Sequence, residues 1–194
     1  MTRMKRRCPN WSVRLIWLWG CLICLGVMAQ ATAAFKVLEA QAQLEAGVHQ
    51  LTAKIEYGLS PAVEEALLNG IPLTLKLSIK ILSPRRFLWP KTVHYQSQAY
   101  LLSYHALTRR YVIHYQNTGL QQTFRELSTA LQTLGDIKAL PLIPQTALKP
   151  TQTYQGALQV KLHLSALPPL LQPRAYLSDD WHLESEWFQW TLNP

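Results

Sequence analysis

The sequence has few cysteines, few glycines and few charged residues. Its 194 residues include three cysteines and eight glycines, and only 15% of them are charged. The cysteines, Cys8, Cys21 and Cys24, all lie near the amino terminus. So few cysteines in one segment exclude a disulfide-stapled scaffold. Glycine without a period excludes a collagen-like chain, and an apolar content of 48% excludes a disordered one.

The first 33 residues differ from the rest in charge and hydropathy. They hold five basic residues and no acidic one, and residues 15–29 are uninterrupted apolar sequence. Small residues follow in two A-x-A patterns that end at Ala31 and Ala33. This order predicts a secretory signal peptide over residues 1–33, cleaved after Ala31 or Ala33. An uncleaved inner-membrane anchor over residues 15–34 is the alternative.

With either N-terminus, residues 34–194 are predicted to form a single exported domain, periplasmic or otherwise outside the cytoplasm. This part has no cysteine, which suits an oxidising compartment. It keeps 14 basic and 11 acidic residues, so most of the net charge of +8 belongs to the amino-terminal segment. A remaining charge of +3, taken as spread along the chain, does not favour a nucleic-acid partner.

Alternating apolar and polar residues predict several half-buried strands. The clearest alternation runs from Leu73 to Ile81, and similar segments begin at Phe35, Leu51 and Leu158. One apolar face per strand is typical of antiparallel sheets that pack on a core. We therefore predict a mainly β fold, an antiparallel, immunoglobulin-like β-sandwich of about seven strands with two short helical insertions. An α+β roll is the alternative.

A β-hairpin is predicted around the turn at residues 106–109. The register that pairs His105 with Arg110 gathers six large side chains on one face, and a shift of one residue would scatter them. These are Tyr100, Leu102, Tyr104, Tyr111, Ile113 and Tyr115. The predicted core is Leu73, Leu75, Leu77, Ile79, Tyr100, Leu102, Tyr104, Tyr111 and Ile113.

Two segments carry helix signals. Residues 60–70 combine an N-cap Ser60, Pro61 at the first helical position and a terminal Gly70. Residues 123–126 (TFRE) match a capping box from Thr123 to Glu126. The apolar stripe that accompanies this box has helical spacing and comprises Phe124, Leu127, Leu131 and Leu134.

Four stretches carry a resemblance to a known family. They are residues 64–72 (EEALLNGIP), 102–111 (LSYHALTRRY), 147–154 (ALKPTQTY) and 186–190 (EWFQW). Together they resemble an uncharacterised family of exported proteobacterial proteins, domain of unknown function number 4390. That family has no assigned activity, so the resemblance supplies no catalytic residue. Its genes often neighbour a membrane histidine-kinase sensor system, which implies a role in the cell envelope.

No motif in the sequence predicts catalysis, a cofactor or a metal. There is no G-x-S-x-G nucleophile motif and no glycine-rich phosphate loop. In the hairpin register, His105 and His114 lie too far apart to share an ion, and His94 is farther still. A candidate strand carries four alternating polar side chains, which we interpret as a solvated face: Asp180, His182, Glu184 and Glu186.

The segment Pro84-Arg-Arg-Phe-Leu-Trp-Pro90 is the best candidate for a contact with a partner. It places Arg85 and Arg86 beside Phe87 and Trp89, and arginine and aromatic side chains are enriched at binding hot spots. The alternative is that Phe87 and Trp89 cap the end of the core. We predict a non-catalytic binding module of the cell envelope, contacting an envelope protein or the membrane surface. A carrier of an apolar ligand and an envelope enzyme remain the alternatives.

Overall fold

A computed structural model of the chain describes residues 34–86 and 88–193. These residues belong to one compact unit. The predicted signal peptide or anchor, and Phe87, lie outside the described residues. Among the residues that are described, no helix has the length and apolarity needed to cross a membrane.

Nine strands and three α-helices make up the described part of the chain. The strands are β1 (Phe35–Glu45), β2 (Val48–Tyr57), β3 (Leu73–Ser83), β4 (Lys91–His105), β5 (Arg110–Tyr115), β6 (Gln121–Phe124), β7 (Asp136–Pro144), β8 (Tyr154–Leu162) and β9 (Phe188–Leu192). The α-helices are α1 (Pro61–Leu68), α2 (Leu127–Gly135) and α3 (Gln172–Leu177). Short 3-10 turns follow β7 and β8 and precede β9.

The strands form two antiparallel sheets. The smaller has the order β1-β2-β7 and the larger β6-β5-β4-β3-β8-β9. β1 packs on β8 and β9, and α2 packs on β2 and β5, so both sheets contribute to one apolar core. The prediction of a mainly β, antiparallel fold is confirmed, whereas the immunoglobulin-like arrangement stays a prediction.

β3 lies near the middle of the larger sheet and is its most buried strand. Its alternating apolar residues from Leu73 to Ile81 are completely buried. The hairpin of β4 and β5 has the predicted register, with His105 opposite Arg110 and Leu102 opposite Ile113. The predicted core residues are buried, apart from Tyr104 and Tyr111, which are half-buried and pack against the core.

The first helix is confirmed with its predicted cap. The Ser60 hydroxyl accepts a hydrogen bond from the Val63 N–H at 3.2 Å, and Pro61 occupies the first helical position. The same hydroxyl donates to the Asp180 carbonyl oxygen at 2.7 Å. One buried serine therefore caps α1 and ties it to a segment far along the chain.

The prediction of where the second helix starts is wrong. Phe124 pairs with Tyr111 in the β6–β5 ladder, so the chain is still extended where the capping box was expected. Glu126 occupies the N-cap position of α2 without a side-chain cap bond, and the helix begins at Leu127. Strand pairing has overridden a local capping motif. The third helix, α3, was not predicted.

Candidate functional site

The connection between β3 and β4, residues 84–90, projects from one end of the larger sheet. Trp89 is 91% exposed and Leu88 is 66% exposed, while Arg85 and Arg86 are also on the surface. Trp89 therefore does not cap the core, contrary to the alternative interpretation. The predicted contact of Arg85, Arg86 and Trp89 with a partner stays a prediction, and Phe87 lies outside the described residues.

The exposed apolar surface continues from this connection onto β4. Val93 and Tyr95 are both exposed. Tyr95 lies opposite Lys80 of β3, whose Nζ is 4.1 Å from the centre of the Trp187 ring. The pKa of the Tyr95 hydroxyl is lowered, first by a hydrogen bond with Ser78 and then by neighbouring lysines. This part of the outer sheet face is both aromatic and cationic.

Charge is strongly segregated along the described chain. Residues 66–125 contain eight basic residues and no Asp or Glu: Lys76, Lys80, Arg85, Arg86, Lys91, Arg109, Arg110 and Arg125. The rest of residues 34–194 contains six basic and eleven acidic residues. The basic segment forms the adjacent strands β6-β5-β4-β3, so it occupies one side of the larger sheet. The interpretation of an evenly spread charge of +3 is therefore wrong.

The two arginine pairs lie at opposite ends of β4, as predicted. Arg85 and Arg86 precede the strand, and Arg109 and Arg110 follow it. A strand of 15 residues is about 50 Å long at its usual rise. The two pairs therefore cannot contact the same small ligand, although both add to the positive charge of this half of the sheet.

A second cationic feature joins β3 to β8. Lys76 lies directly opposite Lys161, and no acidic side chain of the described residues is within 4 Å of either lysine. Two like charges in directly opposed positions destabilise a sheet. Burial lowers the pKa of the nearby His163, and the two lysines lower it further. Both effects favour the neutral form of the His163 imidazole.

A pocket of about 320 Å³ adjoins this lysine pair. It contains several side chains of catalytic type, namely Lys161, His163, Ser165, Tyr176, His182 and Glu184. The Ser165 Oγ lies 2.9 Å from His163 Nε2. Among the described residues no carboxylate hydrogen-bonds the other ring nitrogen of His163, so this contact does not assemble a triad. Sequence reasoning did not find this pocket, because its walls come from β8, α3 and the segment before β9.

The other histidines and acids do not converge on a metal site. His105 and His114 lie on one groove of the outer face, together with Arg110. The strand expected over Asp180 to Glu186 is wrong, because a 3-10 turn occupies Asp179–Trp181 and only Glu184 forms an isolated bridge, to Lys161. Across residues 34–86 and 88–193, no three potential ligand side chains are grouped closely enough to hold an ion.

Comparison with known proteins identifies the family. A family model described as a domain of unknown function, DUF4390, matches residues 32–191. No curated protein and no solved structure matches the chain. The match spans both described sheets and confirms the resemblance seen in the four sequence stretches. The chain therefore belongs to the DUF4390 family of domains of unknown function.

Proposed function

We propose that residues 34–194 form an exported, non-catalytic binding module of the cell envelope that holds a protein partner through residues 84–90. The observation that carries this proposal is the almost complete exposure of Trp89 beside an exposed Leu88. Tryptophan contributes large contact area with little rotamer freedom to lose, and it dominates many binding hot spots. Covering two adjacent, solvent-exposed apolar side chains with a partner removes them from water, which favours binding.

Charge indicates what the partner's surface is like. Arg85 and Lys91 flank the exposed apolar pair, and no acidic residue occurs between residues 66 and 125. A complementary partner presents an apolar pocket with acidic residues around it. Such complementarity raises the association rate and excludes cationic competitors. The export of the module is supported by the basic, apolar and small-residue order of residues 1–33.

Site-specific photo-crosslinking in intact cells tests the proposal. The full-length chain is made with a photoreactive benzoylphenylalanine at position 89, and in a matched control at position 107. Leu107 is fully exposed in the same basic half of the larger sheet, but at the other end of β4. We expect one protein adduct from position 89 and none from position 107. Adducts to lipid at position 89 would identify a membrane surface instead.

Substitution of Trp89 measures its contribution to binding. We expect Trp89→Ala to weaken association with the captured partner by about thirtyfold, the loss that corresponds to a hot spot of about 2 kcal/mol. Circular dichroism should be unchanged, because the side chain lies outside the core. Unchanged association in the folded variant would contradict the role of this connection.

A further inference from the structure

One half of β4 has an unpaired edge. On one side β4 pairs with β3 from Lys91 to Leu102, with one register shift between Thr92 and His94. On the other side β5 pairs only with residues 100–105, and no strand of the described chain continues that pairing toward Lys91. An open strand edge presents free backbone N–H and C=O groups, which other chains can use as a template.

The side chain of Asn117 marks where the pairing of β4 stops. Its Oδ1 accepts a hydrogen bond from the Ala99 N–H at 3.2 Å, and its Nδ2 donates to the Ser97 carbonyl oxygen at 3.3 Å. Backbone groups of a strand point alternately to its two edges. The N–H of Ser97 and both the N–H and C=O of Tyr95 therefore point to the open side.

A cleft of about 550 Å³ lies beside this edge, between the two sheets. Gln96 and Gln98 of β4 line one wall. They lie opposite the buried Ile79 and Leu77 and therefore on the inner face of the larger sheet. The other walls have a polar part, which includes the ion pair of Asp136 and Lys138, and an apolar part. The apolar part comes from β4, β5, α2 and β7: Tyr100, Tyr115, Leu134, Ile137, Leu140 and Pro141. Its volume is in the range of known ligand sites, about 300–1,000 Å³.

Two buried polar atoms that do not line the cleft, but belong to residues close to its lining in the strand or in space, lack hydrogen-bond partners among the described residues. His94 Nε2, on the inner face of the unpaired half of β4, is buried without a partner. Tyr57 is only 6% exposed, and its hydroxyl is also unpartnered. The neighbouring hydroxyls of Tyr100 and Tyr115, which line the cleft, interact electrostatically with that of Tyr57. Buried polar groups normally find partners, so both atoms suit a site that a ligand completes.

We propose that an extended segment of the partner protein pairs with β4 over residues 91–97 as an added strand and places alternate side chains in the cleft. This inference rests on the proposed binding function and specifies how the partner is held. Backbone hydrogen bonds to Tyr95 and Ser97 supply affinity, and the apolar lining of the cleft selects the inward side chains. The added strand begins next to Trp89, so both contacts belong to one surface.

The charge and shape of the site define the segment that fits. The side chains of the partner's segment that point into the cleft are apolar, except for one that can hydrogen-bond His94 Nε2. Flanking positions are acidic or neutral, because Arg85 and Lys91 lie at the start of the edge. Pairing two β4 edges would bring two basic segments together, since residues 66–125 of each copy hold eight basic residues and no acidic one. The occupant is therefore a different protein with an acidic, alternating segment.

A pair of substitutions at one position tests strand addition. Ser97→Pro removes the N–H that faces the open edge and leaves the β3 ladder intact, and proline is tolerated on such edges. Ser97→Ala removes only the hydroxyl and keeps the N–H. In full-length chains carrying the photoreactive residue at position 89, we expect the partner adduct to fall at least tenfold with Ser97→Pro and to persist with Ser97→Ala.

The segment captured at position 89 is then synthesised as a peptide and used as the probe. Hydrogen exchange on the full-length wild-type chain should show new protection at the amides of Tyr95 and Ser97 upon peptide addition. The amides of Gln96 and Gln98 belong to the β3 ladder and should already be protected. This measurement does not depend on the folding of the proline variant.

The outcomes separate this inference from the proposed function. A protein adduct that survives Ser97→Pro, or a peptide that leaves Tyr95 and Ser97 unprotected, overturns strand addition while the binding function stands. Absence of any adduct at position 89 overturns both. An adduct between two copies of this chain overturns the inference of a different protein as occupant. Loss with Ser97→Pro together with protection of Tyr95 and Ser97 supports it.

Discussion

Individual buried residues in the centre of β3 contribute strongly to the free energy of unfolding. Leu77 is completely buried, and its truncation to alanine leaves a cavity between β4 and β8 that the neighbours only partly fill. We expect Leu77→Ala to lower the free energy of unfolding by about 2–5 kcal/mol. Urea denaturation followed by circular dichroism measures the loss.

The matched control for Leu77 is another leucine that the structure leaves in water. Leu177 is 88% exposed, so Leu177→Ala should change the free energy of unfolding by less than about 0.5 kcal/mol. Similar values for the two variants would show that the period-two pattern of β3 does not mark its core face.

Buried tyrosine hydroxyls make the stability depend on alkaline pH. Burial and, to a smaller extent, the neighbouring Tyr115 together raise the pKa of Tyr100 to about 12. Burial also raises the pKa of Tyr57 well above its usual range. Below pH 10 both states keep these protons, so the stability is complete there. Above pH 10 the unfolded chain loses them first, and stability falls until the folded pKa is passed.

Tyr100→Phe should therefore reduce the alkaline loss of stability. Each such tyrosine contributes a slope of about 1.4 kcal/mol per pH unit between pH 10 and 12. Urea unfolding at pH 8, 10 and 11 gives the slope for wild type and variant, and tyrosinate absorbance follows the ionisation. An identical slope in the two proteins would place the Tyr100 hydroxyl in water.

At the scale of elements, α2 can approach β2 closely because Gly135 has no side chain. A Cβ placed on Gly135 would collide with the Ile55 carbonyl oxygen, which is backbone and cannot rotate away. We expect Gly135→Ala to destabilise the protein by about 1–3 kcal/mol, the usual range for overpacking. Gln132→Ala, on the exposed side of the same helix, is the control and should be close to neutral. Thermal unfolding of both variants distinguishes a packing clash from a general effect on the helix.

Elements that depend on neighbouring residues could be predicted from the sequence, and elements that depend on distant ones could not. The β4–β5 register followed from local alternation, because its turn leaves only one arrangement with a single apolar face. β7 was missed because Pro141 and Pro144 hide its pattern, and two shifts of register against β2 accommodate it.

The basic half of the candidate site could have been found by counting charges from residue 66 to residue 125. The open edge of β4 and its cleft could not, because they depend on where β5 stops and where β7 lies.

At the scale of the whole molecule, the segregated charge should control association. We expect the double substitution Arg85→Glu, Lys91→Glu to lower the yield of the partner crosslink from position 89 at least tenfold, because it puts acids where the partner's acidic groups approach. Lys36→Glu, Lys54→Glu is the matched control, since both lysines are exposed on strands of the smaller sheet. Circular dichroism must show that it folds, because the new acids lie opposite Glu56, Glu39 and Asp136. Equal yields from the two double variants would show that charge does not guide the encounter.

The chain order of the smaller sheet has a consequence for folding kinetics. β3, β4, β5 and β6 are consecutive hairpins, so their pairing needs only short loops to close. The hairpin of β1 and β2, by contrast, waits for β7, which follows those four strands and α2 in the chain. Such non-local pairing slows folding, because a long loop loses its entropy before the contacts form. During synthesis the first hairpin emerges well before its partner strand, and it needs protection from other chains until β7 arrives.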